Sequence, residues 1–216
     1  MSFTKDEIRK GMLLYAVTDQ SWLKEGERLP SVCEAVLASG ATFLQIREKD
    51  LDPGAFETEA ARLKALCERY GVPFVVNDSV EIALAIDADG VHVGQGDMPL
   101  AEVRRLVGPE KIIGLSTHSP AQAEKAVRDG ADYIGVGPIF ATQTKEDVTD
   151  PVGFEYLEWV VENCPLPFVA IGGIKEHNVG ELVKRGCTCC ALVSELVGAD
   201  DIAAKVAAVR EAMKRV

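Results

Sequence analysis

Arg47 and Lys49 lie far from Lys145 in the chain, yet all three follow the ends of short apolar runs. Brought to one place, three cations suit an anion larger than a monophosphate, because a diphosphate offers several oxygens to guanidinium and ammonium donors at once. Asn77 and Ser116 end two further runs and add neutral hydrogen-bonding groups. Asp78 and Asp97 look out of place in such a set, since carboxylates repel a diphosphate. A hard cation between them resolves the conflict: Mg²⁺ takes one or two protein carboxylates and completes its shell with phosphate oxygens and water. Gly172, Gly173 and Ser194 end the last two runs. There backbone N–H groups and helix N-termini can receive a phosphate, and glycine lets the backbone come close. Together these residues describe a site for a diphosphate with Mg²⁺ and for a second phosphate.

Each of them also has an ordinary reading. A lone Lys or Arg is commonly a solvated charge, a loop Asp costs little, and "IGGI" (171–174) serves as a tight strand-to-helix turn. The histidines give no nucleophile–base pair of the kind a catalytic triad needs. His92 sits inside the run "GVHVG", where the interior of a barrel would receive it as a packed core residue or as a site wall. His118 helps to build the loop after Ser116, and His177 reads as a helix-start surface residue. In "CTCC" a zinc site would need a second ligand pair at suitable spacing, and none is present. The six cysteines are expected to be small buried thiols, with Cys187 and Cys189 on one face of a strand and Cys190 on the other.

For the polar residues to meet, the runs that carry them must be strands ending on one side of a single sheet. Eight candidates recur along the chain, at residues 13–18, 42–47, 73–77, 90–94, 111–116, 132–137, 167–173 and 190–194. Amphipathic stretches separate them. In "FETEAARLKALCERYG", for example, Ala60, Leu63, Leu66 and Cys67 fall on one helical face. Gly71, Gly130 and Gly186 stand where helices would stop. Strand–helix alternation calls for parallel strands with right-handed crossovers. Eight such units in one chain predict an α/β fold, a single closed (β/α)8 TIM barrel, with an open doubly wound sheet as the alternative. No linker or low-complexity block divides residues 1–216, and a short helix at about 4–10 precedes the first strand. In such a barrel reactive groups gather at the C-terminal ends of the strands, which is where the polar residues fall.

Composition narrows the class further. The chain is 47% hydrophobic but only 6% aromatic, so its core must rest on aliphatic side chains. A net charge of −11 argues against nucleic acid, whose binders present a basic face. No apolar run is long enough to span a membrane, and "MSFTKDEIRKGM" lacks the apolar core of a signal peptide. A cytoplasmic enzyme acting on small molecules is expected. A homodimer is compatible with the sequence, which does not separate exposed faces from interface faces.

The motifs "LYAVTD" (14–19), "QIREK" (45–49), "VNDS" (76–79), "DGVHVGQGD" (89–97) and "GLSTH" (114–118) follow one another in this order. "GADYIGVGPIFATQTK" (130–145), "VAIGGI" (169–174) and "LVSEL" (192–196) complete the series. With them the chain resembles the thiamine-phosphate synthase family over nearly its whole length. That resemblance implies a transferase of thiamine biosynthesis on a phosphate-binding TIM barrel. Its substrates would be hydroxymethylpyrimidine diphosphate and a thiazole phosphate, its products thiamine phosphate and free diphosphate. Gln45, Arg47, Lys49, Asn77, Ser116 and Lys145 would bind the pyrimidine diphosphate, with Arg47, Lys49, Lys145 and Ser116 serving catalysis. Asp78 and Asp97 would hold Mg²⁺, and Thr142, Thr144, Gly173, Val193 and Ser194 would surround the thiazole phosphate. The family chemistry is dissociative: diphosphate leaves from an electron-rich pyrimidine and the thiazole nitrogen captures the cation. No protein nucleophile is required.

Two positions and one segment depart from the family pattern. Ser79 stands where relatives often carry a basic residue, Ala141 where proline is frequent, and "GCTCCALVS" is unusually rich in cysteine. A thiazole tautomerase-like relative, or a silent barrel that binds thiamine intermediates, is the competing reading. The full set of cations and both carboxylates disfavour it. The segment 141–150 is expected to close over the site.

Overall fold

Val, Ile and Leu runs bounded by capped helices set the architecture, and the structure, a computed structural model, describes residues 3–142 and 150–214. Helix α1 (Lys5–Gly11) opens the chain. Thr4 accepts from the Glu7 N–H while Glu7 reaches back to the Thr4 N–H, a reciprocal cap of two donors a helix start leaves unpaired. The strands are β1 (Leu14–Val17), β2 (Phe43–Ile46), β3 (Phe74–Asn77), β4 (Gly90–Val93), β5 (Ile112–Thr117), β6 (Tyr133–Val136), β7 (Phe168–Ala170) and β8 (Cys190–Leu192). Between and after them come α2 (Leu29–Ala38), α3 (Pro53–Tyr70), α4 (Val80–Ala85), α5 (Leu100–Val107), α6 (Pro120–Asp129), α7 (Gly153–Asn163), α8 (Val179–Val183), α9 (Ser194–Val197) and α10 (Ile202–Lys214). Each strand pairs in parallel with the next, and β1 pairs with β8 at Leu14↔Cys190, which closes the barrel. The open-sheet alternative is thereby excluded.

Helix punctuation follows the residue types. Asp52 caps α3 at the N–H groups of Gly54 and Ala55, Pro53 follows at the first helical position, and Gly71 ends it in the left-handed region at φ 64°. Ser119, Pro120 and Gly130 repeat this arrangement around α6. Ser79, one of the departures from the family pattern, caps α4 by accepting from the Ile82 N–H at 3.3 Å.

The strands bury both faces, as parallel strands covered by helices must. Period-two alternation divides them into two cores. Tyr15, Phe43, Val75, Ile112, Tyr133, Val169 and Ala191 point into the barrel, where Ile8 and Met12 join them. Leu14, Leu44, Ile46, Val91, Ile113 and Ile134 point outward into the layer beneath the helices. Fully burying a side chain of this size contributes roughly 1.5–3 kcal/mol, so a charge at Ile134, which is 0% exposed, would unfold the shell locally.

The cysteine expectation needs one correction. Cys189 faces the barrel interior, while Cys187 and Cys190 share the outer layer with their sulfurs 3.8 Å apart. Strand β8 begins at Cys190, so strand alternation does not extend back to Cys187. All six cysteines are free, and all but the half-buried Cys164 are buried.

Candidate active site

The C-terminal ends of the strands enclose a cavity of about 510 Å³. Its wall carries the cations Arg47 and Lys175, the neutral polar groups of Gln45, Asn77, Ser116, Thr142 and Ser194, and the rings of His92 and His118. Val17, Ile171, Ile174 and Leu192 supply apolar surface between them. Among the described residues no Asp or Glu lines it, in a chain of net charge −11. A cavity that is cationic inside an acidic protein concentrates anions, and its apolar panels suit flat rings.

Arg47 is fixed by the top of β1. Its Nη1 lies 3.3 Å from Asp19 Oδ2, and its backbone N–H donates to Thr18 Oγ1 at 3.0 Å. The Thr18 hydroxyl in turn donates to Glu48 Oε1 at 2.5 Å, and the Gln20 N–H donates to Glu48 Oε2 at 3.1 Å. Burial pushes the Glu48 carboxyl up to about 7, against the lowering effect of those two donors. The same corner holds the short 3₁₀ turn Gln20–Trp22, which brings Trp22 to the cavity wall.

Below the mouth, polar side chains meet in the barrel interior. Gln45 Nε2 donates to Tyr15 Oη at 2.8 Å, and Tyr15 Oη is hydrogen bonded to Tyr133 Oη at 2.9 Å. Tyr133 Oη is 2.9 Å from His92 Nδ1, and His92 Nε2 is 2.9 Å from Ser116 Oγ. The two readings open for His92 therefore coincide: it is a hydrogen-bonded interior residue and also part of the cavity wall. His118 does more than build its loop. Its Nδ1–H donates to the Gly137 carbonyl at 2.5 Å, and the ring lines the cavity.

On the opposite side, Gly172 and Gly173 take φ 99° and 62°. A side chain on Gly172 would overlap Pro138, and one on Gly173 would stand 2.5 Å from the Ala141 carbonyl oxygen and 2.8 Å from Phe140 Cβ. Glycine is required here first by backbone sign and by the loop after β6, whose Phe140 N–H donates to the Gly172 carbonyl at 3.0 Å. Thr142, Gly173, Val193 and Ser194 all line the cavity, and Ser194 starts α9, a one-turn helix at the end of β8.

The remaining expected residues stand elsewhere. Lys49 is exposed and lies outside the cavity wall. Asp78 and Asp97 are exposed at the ends of β3 and β4, neighbouring strands, and also lie outside the wall. Asp78 follows Asn77 directly and has φ 62°, while Asp97 Oδ2 accepts from the Gly94 N–H at 2.6 Å. Positive φ is not by itself a mark of function, since Asp87 shares it in a turn where Lys111 pairs with its carboxylate. Among the described residues no group of three or more His, Cys, Asp or Glu could hold a metal. Two carboxylates on adjacent strand ends are nevertheless the donor set Mg²⁺ asks of a protein when phosphate oxygens and water supply the rest. Thr144, Lys145 and most of the segment expected to close over the site lie outside the described residues.

Sequence reasoning did not find Trp22, Lys175 or Glu48. Lys175 was detectable as the first cation after "IGGI"; it pairs with Glu195 at 3.6 Å while lining the cavity. Glu48 and Trp22 carry no periodic signal, because both owe their place to the corner between β1 and β2.

A family model for thiamine monophosphate synthase matches residues 14–196. The chain belongs to that family. A thiamine-phosphate synthase of Pelotomaculum thermopropionicum is 56% identical over 184 residues, covering 85% of this chain and 84% of the relative. One of Lawsonia intracellularis is 48% identical and covers 93% and 92%. Among solved structures, a thiamine phosphate pyrophosphorylase from Pyrococcus furiosus superposes with a TM-score of 0.87 at 33% identity, over 96% of this chain and 98% of that one. A geranylgeranylglyceryl phosphate synthase from Thermoplasma acidophilum, at 15% identity and a TM-score of 0.73, shares the barrel as a fold alone. No helix among the described residues is long and apolar enough to cross a membrane.

Proposed function

We propose that this chain, an enzyme of the thiamine monophosphate synthase family, condenses hydroxymethylpyrimidine diphosphate with a thiazole phosphate to give thiamine phosphate and diphosphate, as a single cytoplasmic barrel domain. The observation that carries the reading is the cavity itself. It joins Arg47 and Lys175 to apolar panels with no carboxylate on its wall among the described residues, the combination that suits two phosphorylated heteroaromatic rings.

Arg47, held by Asp19, grips the diphosphate, and Ser116 donates to it. Gln45 and Asn77 orient the pyrimidine on the same wall, with Lys49 and Lys145 as further cations of the leaving group. Thr142, Thr144, Gly173, Val193 and Ser194 seat the thiazole phosphate opposite, so that the ring nitrogen faces the carbon the diphosphate leaves. Holding both rings in line converts a two-body encounter into a local step. Fixed donors stabilise the charge that grows on the departing oxygens. Asp78 and Asp97 would hold Mg²⁺, which supplies charge neutralisation of the departing diphosphate. No residue need bond covalently to substrate.

The test is direct synthesis. Purified protein is given both substrates and Mg²⁺, with and without excess chelator, and thiamine phosphate is read as its fluorescent oxidation product. Product that disappears with chelator supports the reaction and its metal together. Product that persists keeps the synthase and removes the metal role of Asp78 and Asp97. Folded protein that makes none in either tube overturns the reading in favour of a tautomerase or a silent binder.

A further inference from the structure

The polar chain that runs from Gln45 to Ser116 along the cavity has a direction. An amide nitrogen only donates, so Tyr15 Oη accepts from Gln45 Nε2 and its own proton is turned to Tyr133 Oη. Burial keeps both phenols protonated, their ionisation pushed well above the ordinary tyrosine range. Tyr133 then donates onward to His92 Nδ1. A neutral imidazole that accepts at Nδ1 carries its proton on Nε2, and that proton is given to Ser116 Oγ. The Ser116 hydroxyl, its oxygen already accepting, has its own proton left to point away from His92.

Space for this relay is built in. Gly114, on β5, faces the point where Tyr133 Oη meets His92 Nδ1, and a Cβ there would overlap both. The rings are packed as well: Tyr15 stacks on Phe43 with centroids 4.4 Å apart, and His92 lies 5.4 Å from Tyr133. Tyr133 is 1% exposed and is not among the residues that line the cavity, so it acts on a ligand only through others.

We infer that His92, Tyr133 and Tyr15 are positioning residues: they form a hydrogen-bond relay of fixed polarity that locks Ser116 as a donor toward the cavity and ties its orientation to that of Gln45 on another strand. A phosphate oxygen can only accept, so a relay of the opposite polarity would present a lone pair where the anion needs a proton. This rests on the proposed diphosphate site, although the polarity can be read without it.

The experiment combines ¹⁵N imidazole NMR on the full chain with calorimetric binding of inorganic diphosphate in Mg²⁺, and with steady-state kinetics, for the wild type and Tyr133→Phe. The wild type is expected to show His92 as the Nε2–H tautomer. In Tyr133→Phe that preference is lost, diphosphate binds about tenfold more weakly, and kcat falls by roughly 10- to 100-fold while KM for the thiazole phosphate holds. An Nδ1–H tautomer in the wild type overturns the polarity, and needs no variant to fold. Wild-type diphosphate affinity in folded Tyr133→Phe overturns the positioning role, as does weakened affinity with an unchanged tautomer. If the synthase reading itself is wrong, the wild type makes no thiamine phosphate, and the tautomer and diphosphate affinity still decide the relay. Gly114→Ala, which wedges Tyr133 from His92, is expected to reproduce the tautomer change; its failure to do so counts against the relay.

Discussion

Arg47 and Asp19 meet at 3.3 Å across the tops of β2 and β1, with only 13% and 15% of their side-chain surfaces exposed. Arg47 lines the cavity and Asp19 does not, so the carboxylate fixes the guanidinium at the cavity wall without entering it. A guanidinium already oriented loses less freedom on binding and keeps its forked donors aimed. Asp19→Asn is expected to raise KM for the pyrimidine diphosphate by about tenfold, equivalent to about 1.4 kcal/mol, with a smaller change in kcat. Arg47→Lys loses the fork and should cost more than Asp19→Asn in kcat/KM. Steady-state kinetics at fixed Mg²⁺ check both, and an unaltered KM in Asp19→Asn would remove the positioning role of that carboxylate.

Gly173 is constrained twice, by φ 62° and by the Ala141 carbonyl oxygen 2.5 Å from where a Cβ would stand. Gly173→Ala is expected to destabilise the protein by about 1–3 kcal/mol. Gly173→Asn separates the two causes, since Asn tolerates left-handed backbone but brings the same Cβ. Equal losses in the two variants, read as denaturant midpoints, assign the cost to the contact. A much milder Asn variant assigns it to the backbone.

The eight strands were legible because parallel strands buried on both faces appear as short β-branched runs, and polar residues at their ends marked the mouth of the barrel. Gln45, Arg47, Asn77, Ser116, Thr142, Gly173, Val193 and Ser194 reach the cavity wall as that logic implies. What the sequence hid depends on register and corners. Trp22 enters the wall only because a one-turn helix capped by Asp19 folds over β1. Cys187 parts from Cys189 because β8 starts three residues later than Cys187. Two exposed carboxylates, Asp78 and Asp97, follow adjacent strands only through the pairing of β3 with β4. Asn77↔His92 in that pairing is also what brings a histidine beside the site, a placement that "GVHVG" alone leaves open.

Glu48 gives the folded protein a pH dependence. Its carboxyl titrates near 7 when folded and near the ordinary 4.5 when unfolded. Between those values the folded state binds the extra proton, so the penalty from Glu48 is absent below about 4.5 and grows as pH rises toward 7. Above 7 the penalty is constant. Glu48→Gln cannot ionise and is expected to lose this slope, so its stability relative to the wild type should improve from pH 5 to about pH 7 and level off by pH 8. Thermal or denaturant unfolding of both proteins across that range measures it. Parallel curves would show that Glu48 is ionised throughout.

Asp97 offers the sharpest test of the metal assignment, because one of its oxygens already has a structural partner that an amide could keep. Oδ2 accepts the Gly94 N–H at 2.6 Å and shapes the loop after β4, leaving the negative charge as the property a cation would use. Asp97→Asn keeps a carbonyl oxygen for Gly94 and removes the charge, so the loop should persist. Activity is expected to fall by about 100-fold at low Mg²⁺ and to recover in part as Mg²⁺ is raised, since a weakened site fills by mass action. Asp97→Ala would lose the loop contact too, and raised Mg²⁺ should restore less. A Mg²⁺ titration of initial rates distinguishes the cases. Full activity of Asp97→Asn at low Mg²⁺ would leave Asp97 as a loop residue and place the cation elsewhere.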